Sequence, residues 1–191
     1  MKNKQSPWGK IDHFYQITPW LTWVSTSSHG GVKLDRKHNA MIPDYARCYG
    51  GWYEEDCEWA IAFCFLKNKI IKDMNQHYEN YEWLNSMLSN CEKVLRDNYP
   101  SLYESFFNTI LNEGESRAKD EYIWNEINKD NYKLYCAIGM INNVKVLLKK
   151  SREGTEENWY MISKDLYLSK KERFGWVFSK EEIKHLRKIY E

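Results

Sequence analysis

The sequence predicts an α+β fold: a mostly antiparallel sheet drawn from N- and C-terminal strands, packed on a central helical block. Three observations predict it. Aromatic and β-branched runs lie near both ends of the chain, and apolar positions spaced by three and four lie between them. Strand and helix patterns do not alternate regularly, which argues against a parallel sheet. At 191 residues, 42% hydrophobic and 16% aromatic, the chain can bury one sizeable core. Residues 1–191 read as a single domain, without internal repeat or linker.

The first strands fall between Lys10 and Ser25, where Ile11, His13 and Tyr15 share a face at period two and Trp20–Ser25 is rich in aromatic and β-branched residues. Thr18-Pro19 separates them. Ser25–Gly31 breaks the pattern, and Val32-Lys33-Leu34 resumes it. The pair Gly30-Gly31 permits positive φ or a close backbone approach, which places His29 at the rim of a turn. Asp35 caps a short helix that stops before Pro43.

The stretch Gly50-Gly51-Trp52-Tyr53-Glu54-Glu55-Asp56-Cys57-Glu58-Trp59 leads into the apolar run Ala60–Leu66. It reads as a tight turn and then a buried helix whose first turn holds Glu54, Glu55 and Asp56, where exposed N–H groups favour negative charge. A second helix, about His77 to Asn98, carries the stripe Tyr81, Leu84, Leu88, Cys91 and Leu95. Ser101 with Glu104 reads as a capping box opening a helix through Ile110. Residues 115–127 form a polar helix. Strands follow at Tyr132–Ile138 and Val144–Leu148, joined by Asn142-Asn143, and at Trp159–Ile162 and Phe174–Phe178. Ser179, with Glu182 three residues on, caps a last basic helix.

Net charge is +1, but an acid-rich middle, residues 50–130, lies between ends with an excess of Lys and Arg. That layout fits solvated helix faces. Cys48, Cys57, Cys64, Cys91 and Cys136 are odd in number and form no C-x-x-C pair, so they read as reduced and mostly buried, with Cys57 and Cys64 on one helix face. There is no secretory signal, and the longest apolar run falls far short of the ~20 residues of a membrane span. The expectation is a cytoplasmic protein with no membrane partner.

Four words in order, Ser-His-Gly-Gly at 28–31, Gly-Gly-Trp-Tyr-Glu-Glu-Asp-Cys-Glu-Trp at 50–59, Glu-Ser-Arg-Ala-Lys-Asp-Glu at 115–121 and Arg-Phe-Gly-Trp-Val-Phe at 173–178, resemble an uncharacterised domain family of bacteria, phages and plasmids. The resemblance spans about Trp8 to His185. That family carries no established activity and supplies no catalytic residues. It implies a soluble accessory or interaction protein of phage or mobile-element type, one that inhibits a host defence protein.

The residues offer a second class of function, a metal-assisted hydrolase. His29 with Glu54, Glu55 and Asp56 could hold a divalent cation and activate water, or act as a base oriented by an acid. His13 or His38 could add a ligand, although nothing in their spacing requires it. No cofactor other than a divalent metal is expected. Ser28, Arg117, Lys119, Glu79 and Glu82 are the candidate binding residues, Ser28 and Cys57 the weaker candidate nucleophiles. Walker and dinucleotide glycine spacings are absent. The basic stretches around Lys145, Lys149, Lys150 and Arg152, and around Lys170, Lys171 and Arg173, are interrupted by acids, so nucleic acid is not the expected partner. The partner expected is a host protein, and the oligomeric state is left open.

Overall fold

A computed structural model describes residues 5–74, 82–150 and 158–189. The chain forms two compact units, Met1–Lys119 and Asp120–Glu191, with the division inside a helix. The α+β class holds, and each strand pair is antiparallel. N-terminal and C-terminal strands make separate sheets, each over its own core.

The first unit opens with a two-residue ribbon, β1 (Gln5–Ser6) and β2 (Gly9–Lys10). A sheet follows in the order β3 (His13–Thr18), β4 (Leu21–Ser25), β5 (Gly30–Leu34), β6 (Trp52–Glu54). The Thr18 hydroxyl closes the Pro19 turn by accepting from the Trp20 and Leu21 amides at 3.2 and 2.9 Å. Asp35 caps α1 (Arg36–Asn39) as expected, its carboxylate accepting the His38 amide at 2.7 Å. The helices α2 (Trp59–Asp73), α3 (Glu82–Asn98) and α4 (Pro100–Phe107) complete the unit.

Ile17, Leu21, Val32 and Leu34 of the sheet pack with Tyr53, with Trp59–Cys64 of α2 and with Leu84, Leu88, Cys91 and Leu95 of α3. Each buried aliphatic side chain contributes about 1.5–3 kcal/mol. The α3 stripe therefore appears where its spacing placed it; Tyr81 and the expected start at His77 lie outside the described residues.

The opening of α4 differs from the capping-box expectation. Pro100, which has no N–H and suits the first helical position, starts the helix after Tyr99, and no side chain caps it. Glu104 turns instead to the Leu111 amide at 2.8 Å and the Lys119 ammonium at 2.6 Å. The helix ends at Phe107, earlier than expected, because Asn108 takes a left-handed conformation at φ 49°.

The second unit holds most of α5 (Arg117–Ile127), then β7 (Tyr132–Gly139), β8 (Asn143–Lys149), β9 (Asn158–Ser163), α6 (Lys164–Ser169), β10 (Lys171–Glu172), β11 (Gly175–Phe178), α7 (Lys180–His185) and β12 (Arg187–Ile189). Its sheet runs β10-β11-β7-β8-β9-β12. Val144, Val146 and Leu148 alternate along β8 into a core with Tyr160, Ile162 and Phe178. The expected capping box at Ser179 and Glu182 forms in both directions. Helix α6 and the short strands β6, β10 and β12 were not expected, since two- to six-residue elements carry too little periodicity to read.

Two consequences can be measured. The Tyr53 side chain is fully buried, and its hydroxyl donates to Asn39 Oδ1 at 2.7 Å while accepting from the Cys48 amide at 3.4 Å. Tyr53→Phe strands both partners and is expected to cost about 1–3 kcal/mol in a denaturant melt. The bonds from Lys119 and the Leu111 amide hold the Glu104 carboxyl below its usual range. The stabilisation is thus present above the ordinary glutamate value of 4.5 and fades as pH falls through the lower folded value. Glu104→Gln should lower Tm at neutral pH, and its gap to the native protein should close below that value.

Candidate functional site

The acid-rich stretch is placed by a reversal at Tyr49–Gly51, where Gly50 and Gly51 have φ of 65° and 75°, conformations that favour glycine. The chain then returns antiparallel to β5, pairing Lys33 with Trp52, Val32 with Tyr53 and Gly31 with Glu54. The Lys33 ammonium donates to the Gly50 carbonyl and lies 4.8 Å over the Trp52 ring. One further bond, from the Glu55 amide to the Gly30 carbonyl at 3.0 Å, carries the pairing past the strand end. Glu54 therefore ends an edge strand, Glu55 and Asp56 enter a turn, and α2 begins only at Trp59. This corrects the expectation that the acids occupy the first turn of the helix, because β-pairing to β5 claims their backbone first. Compensation of a helix dipole no longer accounts for Glu54 and Glu55.

The same pairing brings His29 to the carboxylates. His29 Nδ1 lies 3.7 Å from Glu54 Oε1, and one ligand atom each from His29, Glu54 and Glu55 fall within 4.8 Å of one another. The His29 side chain is 56% exposed and that of Glu54 22%, so the cluster opens to solvent on its histidine side. Glu54 is held in place: its other oxygen accepts the Asp56 amide at 2.7 Å, and its own amide donates to Glu58 Oε2 at 3.1 Å. His29 sits on a turn fixed by Thr26, whose hydroxyl donates to the His29 carbonyl at 2.8 Å and accepts the His29 amide at 3.1 Å.

Both glycines of the turn are needed bare. A Cβ on Gly30 would collide with Glu55 Oε2 and stand 2.9 Å from the Val24 carbonyl. One on Gly31, where φ is 156°, would collide with the Tyr53 carbonyl and meet the Trp8 ring at 2.5 Å. Glu55 thus rests its carboxylate against backbone where any other residue would place a side chain.

The remaining candidates are placed elsewhere. Asp56 contributes its amide to Glu54, and its side chain is exposed outside the three-residue cluster. Ser28 is exposed on the Thr26 turn. His38 stacks on Trp20 at 4.2 Å and is bonded to Asp35 at 2.8 Å, a structural role. His13 is exposed at the start of β3 and takes no part in the cluster. Lys119 is committed to Glu104 and the Leu111 carbonyl. Arg117 is exposed at the start of α5, and Glu82 at the start of α3. Glu79 and Arg152 lie outside the described residues.

All five cysteines are free, but only Cys64 and Cys91 are buried, and Cys136 is exposed. Cys57 precedes α2 rather than sharing a face with Cys64, and its sulfur lies 3.2 Å from the Tyr99 hydroxyl. Burial, with the nearby Glu58 carboxylate, pushes the Cys48 thiol up to about 12, which leaves it protonated and unreactive at neutral pH.

What stands on the hairpin is one imidazole nitrogen and two carboxylate oxygens, three donors of the kind that hold a divalent cation with coordination positions to spare. The fold and cluster together define an α+β protein with antiparallel sheets and a glycine-backed His/Glu/Glu hairpin. A family model described as a domain of unknown function (DUF7007) matches residues 1–129, and the chain belongs to that family. The match takes in the hairpin and ends before the word at 173–178. No curated protein and no solved structure matches the chain.

The steric argument has a direct check. Gly31→Ala forces left-handed strain and a backbone clash together, and is expected to lower stability by about 1–3 kcal/mol. A melt of Gly31→Ala within error of the native protein would contradict the close β5–β6 approach.

Proposed function

We propose that this protein binds a divalent cation through His29, Glu54 and Glu55 and uses it for hydrolysis. The observation that supports this is the convergence of the three side chains within 4.8 Å on a rigid hairpin, beside the further carboxylates of Asp56 and Glu58. Four negative charges against one imidazole make a cation the complementary ligand. A mixed nitrogen and oxygen set suits Zn²⁺ or Mn²⁺, and catalytic zinc sites commonly use three protein ligands plus water. Water bound on the solvent-open side would have its pKa lowered toward neutrality and act as nucleophile.

Thermal melts with added Zn²⁺, Mn²⁺ or Mg²⁺ test the reading. A ligand at a hundred times its Kd stabilises by about 2.7 kcal/mol, which for a chain of this size raises Tm by roughly 5–10 °C. His29→Ala and Glu55→Gln should each abolish the rise, and metal-dependent cleavage of a chromogenic ester or phosphodiester should vanish with it. No rise with any of the three ions would overturn the assignment.

An accessory role through contact with a host protein is the second reading. It is supported by Tyr15, Trp23, Trp83 and Met87, which line an apolar recess of about 470 Å³ on the first unit. Clustered surface aromatics of this kind mark contact sites. The phage or mobile-element setting, and inhibition of a defence protein as the outcome, follow from the resemblance of the sequence words. On this reading His29→Ala and Glu55→Gln leave partner binding intact, while Trp83→Ala or Glu82→Lys weakens it.

A further inference from the structure

Strand β7 outruns one of its neighbours. On one side it pairs with β8 from Lys133, opposite Lys149, through to Gly139, opposite Val144. On the other side β11 meets it at Tyr132 and Lys133 alone, and among the described residues no strand continues that pairing. At the turn that ends β7 the Met140 amide donates to the Asn143 carbonyl at 2.9 Å. Directly opposed residues of an antiparallel pair alternate between bonding each other and turning their N–H and C=O groups outward. With Gly139 opposite Val144, Ile138 opposite Lys145 and Ala137 opposite Val146, the backbone groups of Ile138 face β8, and those of Ala137 and Gly139 face away from it. Residues 135–140 are all exposed, so this half-ladder is open to solvent.

Proteins usually blunt such an edge with charge or by keeping it short. The two outer edges of this sheet follow that rule: β10 is Lys171-Glu172 and β12 is Arg187-Lys188-Ile189. The free end of β7 does not. No residue from 134 to 144 carries a charge. Side chains alternate along a strand, so Cys136, Ile138 and Met140 stand on one face, while Ala137 and Gly139 on the other add little bulk. Ile138 is 49% exposed and Met140 56%. A Cβ on Gly139 would meet nothing within 4 Å, so the approach to this edge is sterically clear as well.

What completes a strand edge is another strand, and an uncharged, apolar strand of matching character is present on a second copy of the chain. We infer that residues 136–140 pair antiparallel with the same residues of a second copy, about a two-fold axis at Ile138. Backbone direction selects that register. Centred on Ile138, Ala137 of each copy lies opposite Gly139 of the other, and every outward N–H and C=O of these two residues is bonded. Ile138 then meets its own counterpart and Cys136 meets Met140, with no like-charge pair along the contact. Centring on Ala137 would instead set Gly139 opposite Tyr135, where the register of β7 is interrupted between Leu134 and Cys136. Each chain has this end once, so the contact closes as a dimer and does not propagate. A five-residue edge is small beside the ~800 Å² per partner of a standard interface, so association is weak and governed by concentration. The inference uses the second unit alone and is independent of the cation reading at His29.

Sedimentation equilibrium of the full chain, from low micromolar to several hundred micromolar, tests it. The mass is expected to rise from one chain toward two and no further. Ile138→Lys sets two ammonium groups opposite each other and removes the apolar contact, and should raise the dissociation constant roughly tenfold or more. Ile138→Glu should do the same, while an equimolar mixture of the two variants should pair again, because opposite charges then face each other across the axis. Hydrogen exchange reads the contact without any substitution. The Ala137 and Gly139 amides of the native chain should slow as concentration rises, and the Ile138 amide, which faces β8, should not. A chain that stays monomeric at the highest concentration, which leaves the edge to a foreign strand, would overturn the inference. So would a mass that climbs past two chains, a mixture of the two variants that associates no better than either alone, or exchange that slows at Ile138 and not at its neighbours.

Discussion

The hydroxyl of Tyr53, buried and donating to Asn39, is the constraint on which the first unit's site depends. Asn39 closes α1, and its amide also donates to the Cys48 carbonyl at 3.3 Å, so one polar group ties the helix end, the loop and β6 together. A buried polar pair of this kind is costly to break, because neither partner can turn to water. With Tyr53 fixed opposite Val32, the pairing of Glu54 with Gly31 follows, and Glu55 comes to lie beside Gly30. Register then does the rest: a slip of one residue would send both glutamates to the opposite faces.

Much of the fold was legible because its signals are local. Asp35 three residues before His38, the three-and-four spacing through Leu84, Leu88, Cys91 and Leu95, and Ser179 with Glu182 each depend on neighbours within one or two helical turns. The site was legible only in part. Residue type pointed to His29 and the acids, and Gly30-Gly31 signalled a close approach, but the helix expected over Glu54–Asp56 is a strand end and a turn. That outcome depends on β5, some twenty residues upstream, and no short-range pattern encodes a pairing partner.

Glu104 illustrates the same limit. Its spacing from Ser101 satisfies a capping box, yet the helix starts at Pro100 with Tyr99 rather than Ser101 at the cap position, which frees the carboxylate for Leu111 and Lys119. In the second unit the charge pattern differs between the view along the chain and the view across the sheet. Read along the chain, Lys133, Lys145, Lys149 and Arg187 are scattered among acids; read across paired strands, they share one face. The linear view averages over two faces that the sheet keeps apart.

Trp8 covers the spot that a methyl group on Gly31 would fill, and its ring meets Trp52 edge-on at 5.7 Å. The opening ribbon is thereby part of the hairpin's scaffold, with an indole laid across the backbone that carries the carboxylates. Truncating the chain ahead of β3, or fusing an affinity tag tightly to its front, would act on the His/Glu/Glu geometry from outside it.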